Sequence, residues 1–215
     1  MAQFGSDSFG GTEGTELSAY NAAWTRHTSY SITAEIASGR VRVSSAGTPA
    51  YWHSGTPSSA DYSVSADLFA KETDGGTALA GVIGRVSTAA NTLYHARYSG
   101  DTTDSWQLYK AVAGTFTQLG SSSAQSLTDE TAYNIKLEMI GTAIKLYKEG
   151  SGTATISATD SAITAAGKAG IRMFHGAPSD TAGIHIDNFS ADDVVGGAGT
   201  SFPFRRSSFQ HMLVR

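Results

Sequence analysis

"TAYNIKLEMIGTAIKLYKEGSGTATISATDSAITAAGKAGI", residues 131–171, decides the fold of this 215-residue chain. Its opening places Tyr133, Ile135, Leu137 and Met139 at every second position, with polar residues between them. A strand sends successive side chains to opposite faces, so this alternation marks a sheet with one face on a core and the other toward water. Gly141 ends the strand, "AIKLYK" starts the next, and "KEGSG" at 148–152 turns the chain again. The same period of two extends outward. "DYSVSADLF" puts Tyr62, Val64, Ala66 and Leu68 on one side, and further strands are read at "ITAEIA", "RVRVSS", "LAGVIGRVS", "TLYHARYS", "SWQLYKAV", "FTQLGSS", "AGIRMFHG" and "GIHIDNFSADDV". Helical periodicity is sustained nowhere, and only "SLTDETA" is predicted to form a short turn of helix. About a dozen short strands at regular spacing predict an all-β, antiparallel sandwich or barrel. No fixed-period repeat points to a propeller or β-helix.

Hydrophobic residues make up 40% of the chain and charged ones 16%, enough for a core beneath a hydroxyl-rich surface of the kind common on extracellular and virion β-proteins. A net charge of −4 argues against nucleic acid as a partner, because phosphate neutralisation needs a basic footprint. With no cysteine there is neither a disulfide framework nor a thiolate nucleophile. "MAQFGSDSFGG" lacks the basic and apolar regions of a signal peptide, and no apolar run reaches the ~20 residues that span a bilayer, so neither export by that route nor membrane insertion is expected.

Residues 131–171 resemble the back half of concanavalin A-like, laminin-G-type jelly rolls. The resemblance rests on the strand near Tyr133, the Gly141 turn, the Ile144-x-x-Tyr147 strand, Asp160 after the next strand, and the closing Gly167-x-x-Gly170-Ile171. "DSFGGTEGTELSAYNAAW" and "IDNFSADD" look like the paired first and last strands of such domains. The resemblance implies a two-sheet jelly-roll sandwich over residues 1–195; the compositional break at "VVGGAGTSF", with Gly196, Gly197 and Gly199, predicts a glycine hinge at 196–200 and a short C-terminal arm at 201–215. Trp24, Trp106, Ile135, Leu137, Ile144, Leu146, Ile171 and Ile186 are the predicted core.

The fold serves lectins, glycanases and phage structural proteins alike, so function must be argued from sites. Glycoside hydrolysis needs two carboxylates about 5–10 Å apart. Glu13 and Glu16 lie in a Gly/Thr loop, Glu138 is flanked by Leu137 and Met139, and the adjacent Asp192 and Asp193 point to opposite faces. No Gly-x-Ser-x-Gly elbow places a nucleophile, and catalysis is not predicted. No cofactor is expected. Calcium is a weak candidate, because pairing of the first and last strands would bring Asp7 near Asp187, yet two carboxylates fall short of a six-to-eight-ligand shell.

A saccharide platform needs aromatic rings beside polar donors. Alternation sends His95, Arg97, Gln107, Tyr109, Lys136, Tyr147, Arg172, Phe174 and His185 away from the core. "AYWHSG" adds Tyr51, Trp52 and His53 if it forms a loop. Tyr51, Trp52, His53, His95, Arg97 and Tyr109 are the candidate glycan-binding residues.

The terminal "SFPFRRSSFQHMLVR" differs from everything before it, being basic and aromatic where the body is polar and mildly acidic. Phe202, Phe204, Phe209 and Leu213 would fill pockets on a partner subunit, and Arg205, Arg206 and Arg215 would pair with its carboxylates. These features predict a structural protein of a virion, such as a bacteriophage head decoration or tail component. It would dock through its arm, self-associate as a homo-oligomer and touch a host-surface glycan. The alternative is a lectin-like, carbohydrate-binding module recognising a surface polysaccharide.

Overall fold

The computed structural model describes residues 2–71, 77–101 and 103–194. The predicted hinge at 196–200 and arm at 201–215 lie outside the described residues. In chain order the elements are β1 (Gln3–Asp7), α1 (Leu17–Tyr20), β2 (Trp24–Arg26), β3 (Ala34–Ala37), β4 (Arg40–Val43), β5 (Ala50–His53), β6 (Tyr62–Ala70), β7 (Ala78–Val86), β8 (Leu93–Gly100), β9 (Ser105–Val112), β10 (Thr115–Gln118), β11 (Ser123–Ala124), β12 (Ala132–Ile140), β13 (Ala143–Lys148), β14 (Ile156–Thr159), β15 (Lys168–His175) and β16 (Ile184–Asp193).

The strands form two antiparallel sheets stacked as the expected jelly-roll sandwich. Sheet A runs β14-β13-β12-β6-β16-β4-β3 with β1 on β16, and sheet B runs β10-β9-β8-β7-β15-β5-β2 with β11 on β9. The alternation read from the sequence supplies the packing. Ile135, Leu137 and Met139 of β12 lie opposite Ala66, Val64 and Tyr62 of β6, which makes one continuous apolar surface. Sheet B closes on it with Val82, Tyr98, Trp106, Leu108, Ile171 and Met173. All eight predicted core residues are buried.

The first and last strands pair as expected, with Ser6 opposite Ser190 and Asp7 opposite Phe189. A bulge between Asp187 and Ser190, with Asn188 at φ 51°, shifts the phase of β16, so that Ile184 and Ile186 before it and Phe189 and Ala191 after it all face inward.

The closing glycines of residues 131–171 have steric roles. Gly167 has φ 58°, and a Cβ there would lie 2.5 Å from the Arg85 carbonyl carbon; one at Gly170 would lie 2.0 Å from the Tyr51 oxygen. Beside Gly167, Arg85 is 2% exposed and donates to the carbonyls of Ala60 (3.0 Å), Ile163 (2.8 Å) and Gly141 (2.9 Å). One guanidinium thereby ties together three loops of both sheets.

The structure differs from the sequence reading in three places. "SLTDETA" forms a turn rather than helix, whereas the short helix α1 forms at Leu17–Tyr20, capped by the Glu16 carboxylate, which accepts from the Ala19 amide at 3.1 Å. "AYWH" is strand β5, not a loop.

Candidate functional site

The outward face of sheet B gathers the aromatic and polar side chains. Strand register sets them in rows. One row reads Gln118, Tyr109, His95, Ile83, Gly170, Trp52, and the next reads Gln107, Arg97, Gly81, Arg172, Ala50. Trp52, His95, Arg97 and Tyr109, named from the sequence, therefore share one face, together with Gln107, Arg172 and Phe174.

The other three outward residues of the sequence reading, Lys136, Tyr147 and His185, belong to sheet A on the opposite side of the molecule. Tyr51 and His53 correct the expectation further. Because β5 is a strand, its alternation leaves only Trp52 outward. Tyr51 is 1% exposed and donates its hydroxyl to Glu16, and His53 packs edge-on against Trp24 at 5.2 Å.

His95 is on the predicted face but is fully buried, at 0% exposure, beneath its neighbours. Neither of its ring nitrogens meets a hydrogen-bond partner in good geometry. Burial, reinforced by the charges of Arg172 and Arg97, holds the imidazole neutral, with its pKa well below the usual histidine value.

Above it, Arg97 lies 4.1 Å from the Tyr109 ring centroid and donates from Nε and Nη2 to Gln107 Oε1, at 2.9 and 2.7 Å. Arg172 is 4.6 Å from the Phe116 ring and 5.5 Å from the Tyr30 ring. Its Nε donates to the Tyr30 hydroxyl at 3.2 Å, while its Nη1 is buried with no partner. Burial pulls the Arg97 guanidinium below its ordinary pKa, and the Arg172 charge adds to the shift. At the far edge Lys168 sits 5.9 Å from the Trp52 ring, its ammonium held by the Ser54 and Gly55 carbonyls and the Thr56 hydroxyl.

Tyr30, Phe116 and Lys168 were not singled out from the sequence. Tyr30 is in a loop with no periodicity, and the loop is held near the sheet by His27 Nε2 against the Ser87 carbonyl at 2.9 Å. One signal was present: glycine inside the apolar run of β7 marks a close approach. A Cβ on Gly81 would lie 2.0 Å from the Ala96 oxygen.

A shallow 470 Å³ depression at the other end of the sandwich is lined by Ser6, Asp7, Ser8, Asn21, Asn188 and Phe189. Its carboxylate is fully engaged. Asp7 Oδ1 accepts from the Phe9 amide (2.8 Å) and the Tyr20 hydroxyl (2.9 Å), and Oδ2 accepts from Asn21 (2.8 Å) and Trp24 Nε1 (2.8 Å). Asp187 is close enough for the Asp7 charge to reach it, but burial is the main cause of its raised pKa. Asp7 is thus a hub for protein donors rather than the free ligand considered for calcium, and no group of three His, Asp or Glu residues among the described residues is placed to hold a metal ion.

The other carboxylates weighed for catalysis are also engaged. Glu13 accepts from the Ser38 amide at 2.7 Å, Glu16 caps α1, and Glu138 accepts from the Tyr147 hydroxyl at 2.9 Å. Asp193 accepts from the Ser58 amide at 2.9 Å, and Asp192 from the Ser190 hydroxyl at 2.6 Å.

No protein-family model matches the chain, and no curated protein sequence does. Solved structures match its fold. A carbohydrate binding module, CBM66 from Bacillus subtilis, is similar with a TM-score of 0.63 and 19% identity over 80% of this chain and 96% of that one. The metal-free carbohydrate recognition domain of Emp46p gives a TM-score of 0.59 at 10% identity over 90% and 97%, and the Ca2+-bound exoplasmic/lumenal domain of VIP36 gives 0.58 at 8% over 88% and 90%. A GH43 protein, BlXynB from Bacillus licheniformis, gives 0.55 at 14% identity; this chain spans only 39% of it. At these identities the likeness establishes the concanavalin A-like sandwich. None of these four is described as a virion component, so the virion expectation gains no support from them.

Proposed function

We propose that this protein is a non-catalytic carbohydrate-binding module that holds a saccharide on the outer face of sheet B. The observation that carries the reading is the register that brings Tyr109 and Trp52 into one row beside Gln107, Arg97 and Arg172 in the next. Flat rings stack on the C–H faces of a pyranose, and guanidinium and amide groups bond its hydroxyls. The kind of protein to which the fold is similar supports the same reading, because two of those structures are described as carbohydrate-binding or carbohydrate-recognition domains.

Affinity electrophoresis through gels containing a panel of neutral and acidic polysaccharides tests it. Retardation by at least one polysaccharide, reduced about tenfold or more in affinity by Trp52→Ala or Tyr109→Ala, is the expected result. Migration unaffected by every polysaccharide would refute it.

Docking to another subunit through residues 201–215 is a separate proposal resting on composition. Deleting that stretch should abolish self-association in sedimentation velocity while leaving saccharide binding intact; a truncated chain that associates as before would refute it.

A further inference from the structure

The charges on the sheet B face are of one sign. None of the outward side chains of β2, β5, β7, β8, β9, β10 and β15 is a carboxylate. Among the described residues Arg97, Arg172 and Lys168 take part in no ion pair, although arginines elsewhere on the surface pair with Glu35, Asp180 or Glu130. Asp101, in the turn after β8, exerts only a minor attraction on Arg97 and is itself bonded to Ser99 and Thr103.

Arg97 and Arg172 stand on either side of Gly81, so their backbones are two strand spacings, about 10 Å, apart with no side chain between them. Arg172 Nη1 is buried and unpartnered. A buried donor without an acceptor is costly, and two partly desolvated guanidiniums repel each other, so an anion here would relieve both penalties.

Building on the reading above, we infer that the saccharide held on this face is acidic, and that its carboxylate is met by Arg97 and Arg172 while its ring stacks on Tyr109 or Trp52. The planar guanidinium fork matches a carboxylate with two parallel N–H···O bonds, which favours a uronic-type acid over a sulfate ester. Gln107 aims Arg97 by accepting from two of its nitrogens, and Tyr30 aims Arg172 by accepting from its Nε.

The test is calorimetric titration of the full chain with oligogalacturonate, alginate oligomers and hyaluronan oligomers, each beside its carboxyl-reduced, neutral counterpart, with dextran sulfate and dextran as a further pair. At least one acidic saccharide should bind tenfold or more tightly than its reduced form. Arg97→Gln and Arg172→Gln should each weaken it tenfold or more, Arg172→Lys should restore only part of the loss, and Lys145→Gln on sheet A should change it less than twofold. Thermal melting of each variant separates loss of binding from loss of fold.

Equal or tighter binding of the neutral forms would overturn the acidic inference while leaving the saccharide reading intact. Preference for dextran sulfate over every carboxylated saccharide would overturn the carboxylate assignment. Acidic binding indifferent to both arginine substitutions would overturn the location. Failure to bind any saccharide, acidic or neutral, would overturn both inference and reading.

Discussion

The two outward sheet faces are built from similar strands but distribute charge in opposite ways. On the outer face of sheet A four cations have neighbouring anions: Arg42 bonds Glu35 at 2.7 Å and Asp180 at 2.8 Å, Arg40 bonds Glu130 at 2.7 Å, and Lys136 and Lys145 flank Glu138 at 3.7 and 3.9 Å. Arg40 also covers the Phe69 ring at 3.6 Å. Sheet B has cations and rings but no outward carboxylate. A face whose charges are already paired gains little from a ligand, because binding would exchange one set of partners for another. A face with unpaired, half-buried guanidiniums gains more. The difference therefore separates a surface that stabilises the fold from one suited to recognition.

That contrast breaks first on an arginine that belongs to neither face. Arg85 is sealed inside with three carbonyls and, at 3.6 Å, the Asp61 carboxylate as partners, so Arg85→Met should lower the free energy of unfolding by about 3 kcal/mol or more in urea titrations, the unpaired acceptors being the cause. Arg172→Gln on sheet B should change it by less than about 1 kcal/mol. Comparable losses from the two would dissolve the distinction between structural and recognition arginines.

Asp7→Ala comes next, with an expected loss of about 2–3 kcal/mol, because it strands the donors of Phe9, Tyr20, Asn21 and Trp24. Adding calcium to the unaltered protein should leave its melting temperature where it was. A calcium-dependent rise abolished by Asp7→Ala would return that carboxylate to the role of a ligand.

Acid sharpens the comparison from another side. His95 on the outer face of sheet B and His185 on sheet A are both buried neutral, His185 with a pKa lowered to about 4 by burial and by the charges of Lys71 and Arg42. The unfolded chain takes up protons at these histidines near pH 6.5, before the folded chain does, so stability is fully present above that pH and falls as pH drops toward 4. Each histidine contributes a slope of up to about 1.4 kcal/mol per pH unit in that window. His185→Asn should flatten the pH 6.5–4.5 limb of stability measured by urea titration. Below that window the lowered carboxyls of Glu16 and Asp160 add their own loss. An unchanged limb in the variant would show that His185 is charged in the folded protein.

The smallest effect belongs to the paired face. Lys136→Gln should cost well under 1 kcal/mol, since its side chain is only partly buried and its ammonium is 3.7 Å from Glu138. It should leave saccharide affinity unchanged. A loss of affinity here would move the recognition surface to sheet A.

Much of this was readable from the chain. Alternation at Tyr133, Ile135, Leu137 and Met139 gave strand and inward face together, because a period of two has one geometric solution in a sheet. The phase slip in "IHIDNFSADD" was visible in hindsight, as Ile186 and Phe189 differ in parity, but one-strand patterns do not reveal a bulge until the partner strand fixes the register. The six proposed glycan residues divided for the same reason. Taking "AYWHSG" as a loop left Tyr51, Trp52 and His53 together, whereas its pairing with β15 and β2 sent Trp52 outward and its two neighbours into the core. His95 was placed on the correct side yet judged open, because alternation reports direction and not what lies above.

By itself the sequence determined the class of the protein: an all-β sandwich with buried alternating hydrophobes, no thiol chemistry and hydroxyl-rich surfaces. Those are local properties, fixed by side-chain type and by the two-residue repeat of extended backbone. Only the tertiary structure decided which outward residues meet. Arg97 and Arg172 are far apart along the chain, and their places on either side of Gly81 depend on the order in which β8, β7 and β15 lie in sheet B. That order follows from how two whole sheets pack, which no single segment encodes.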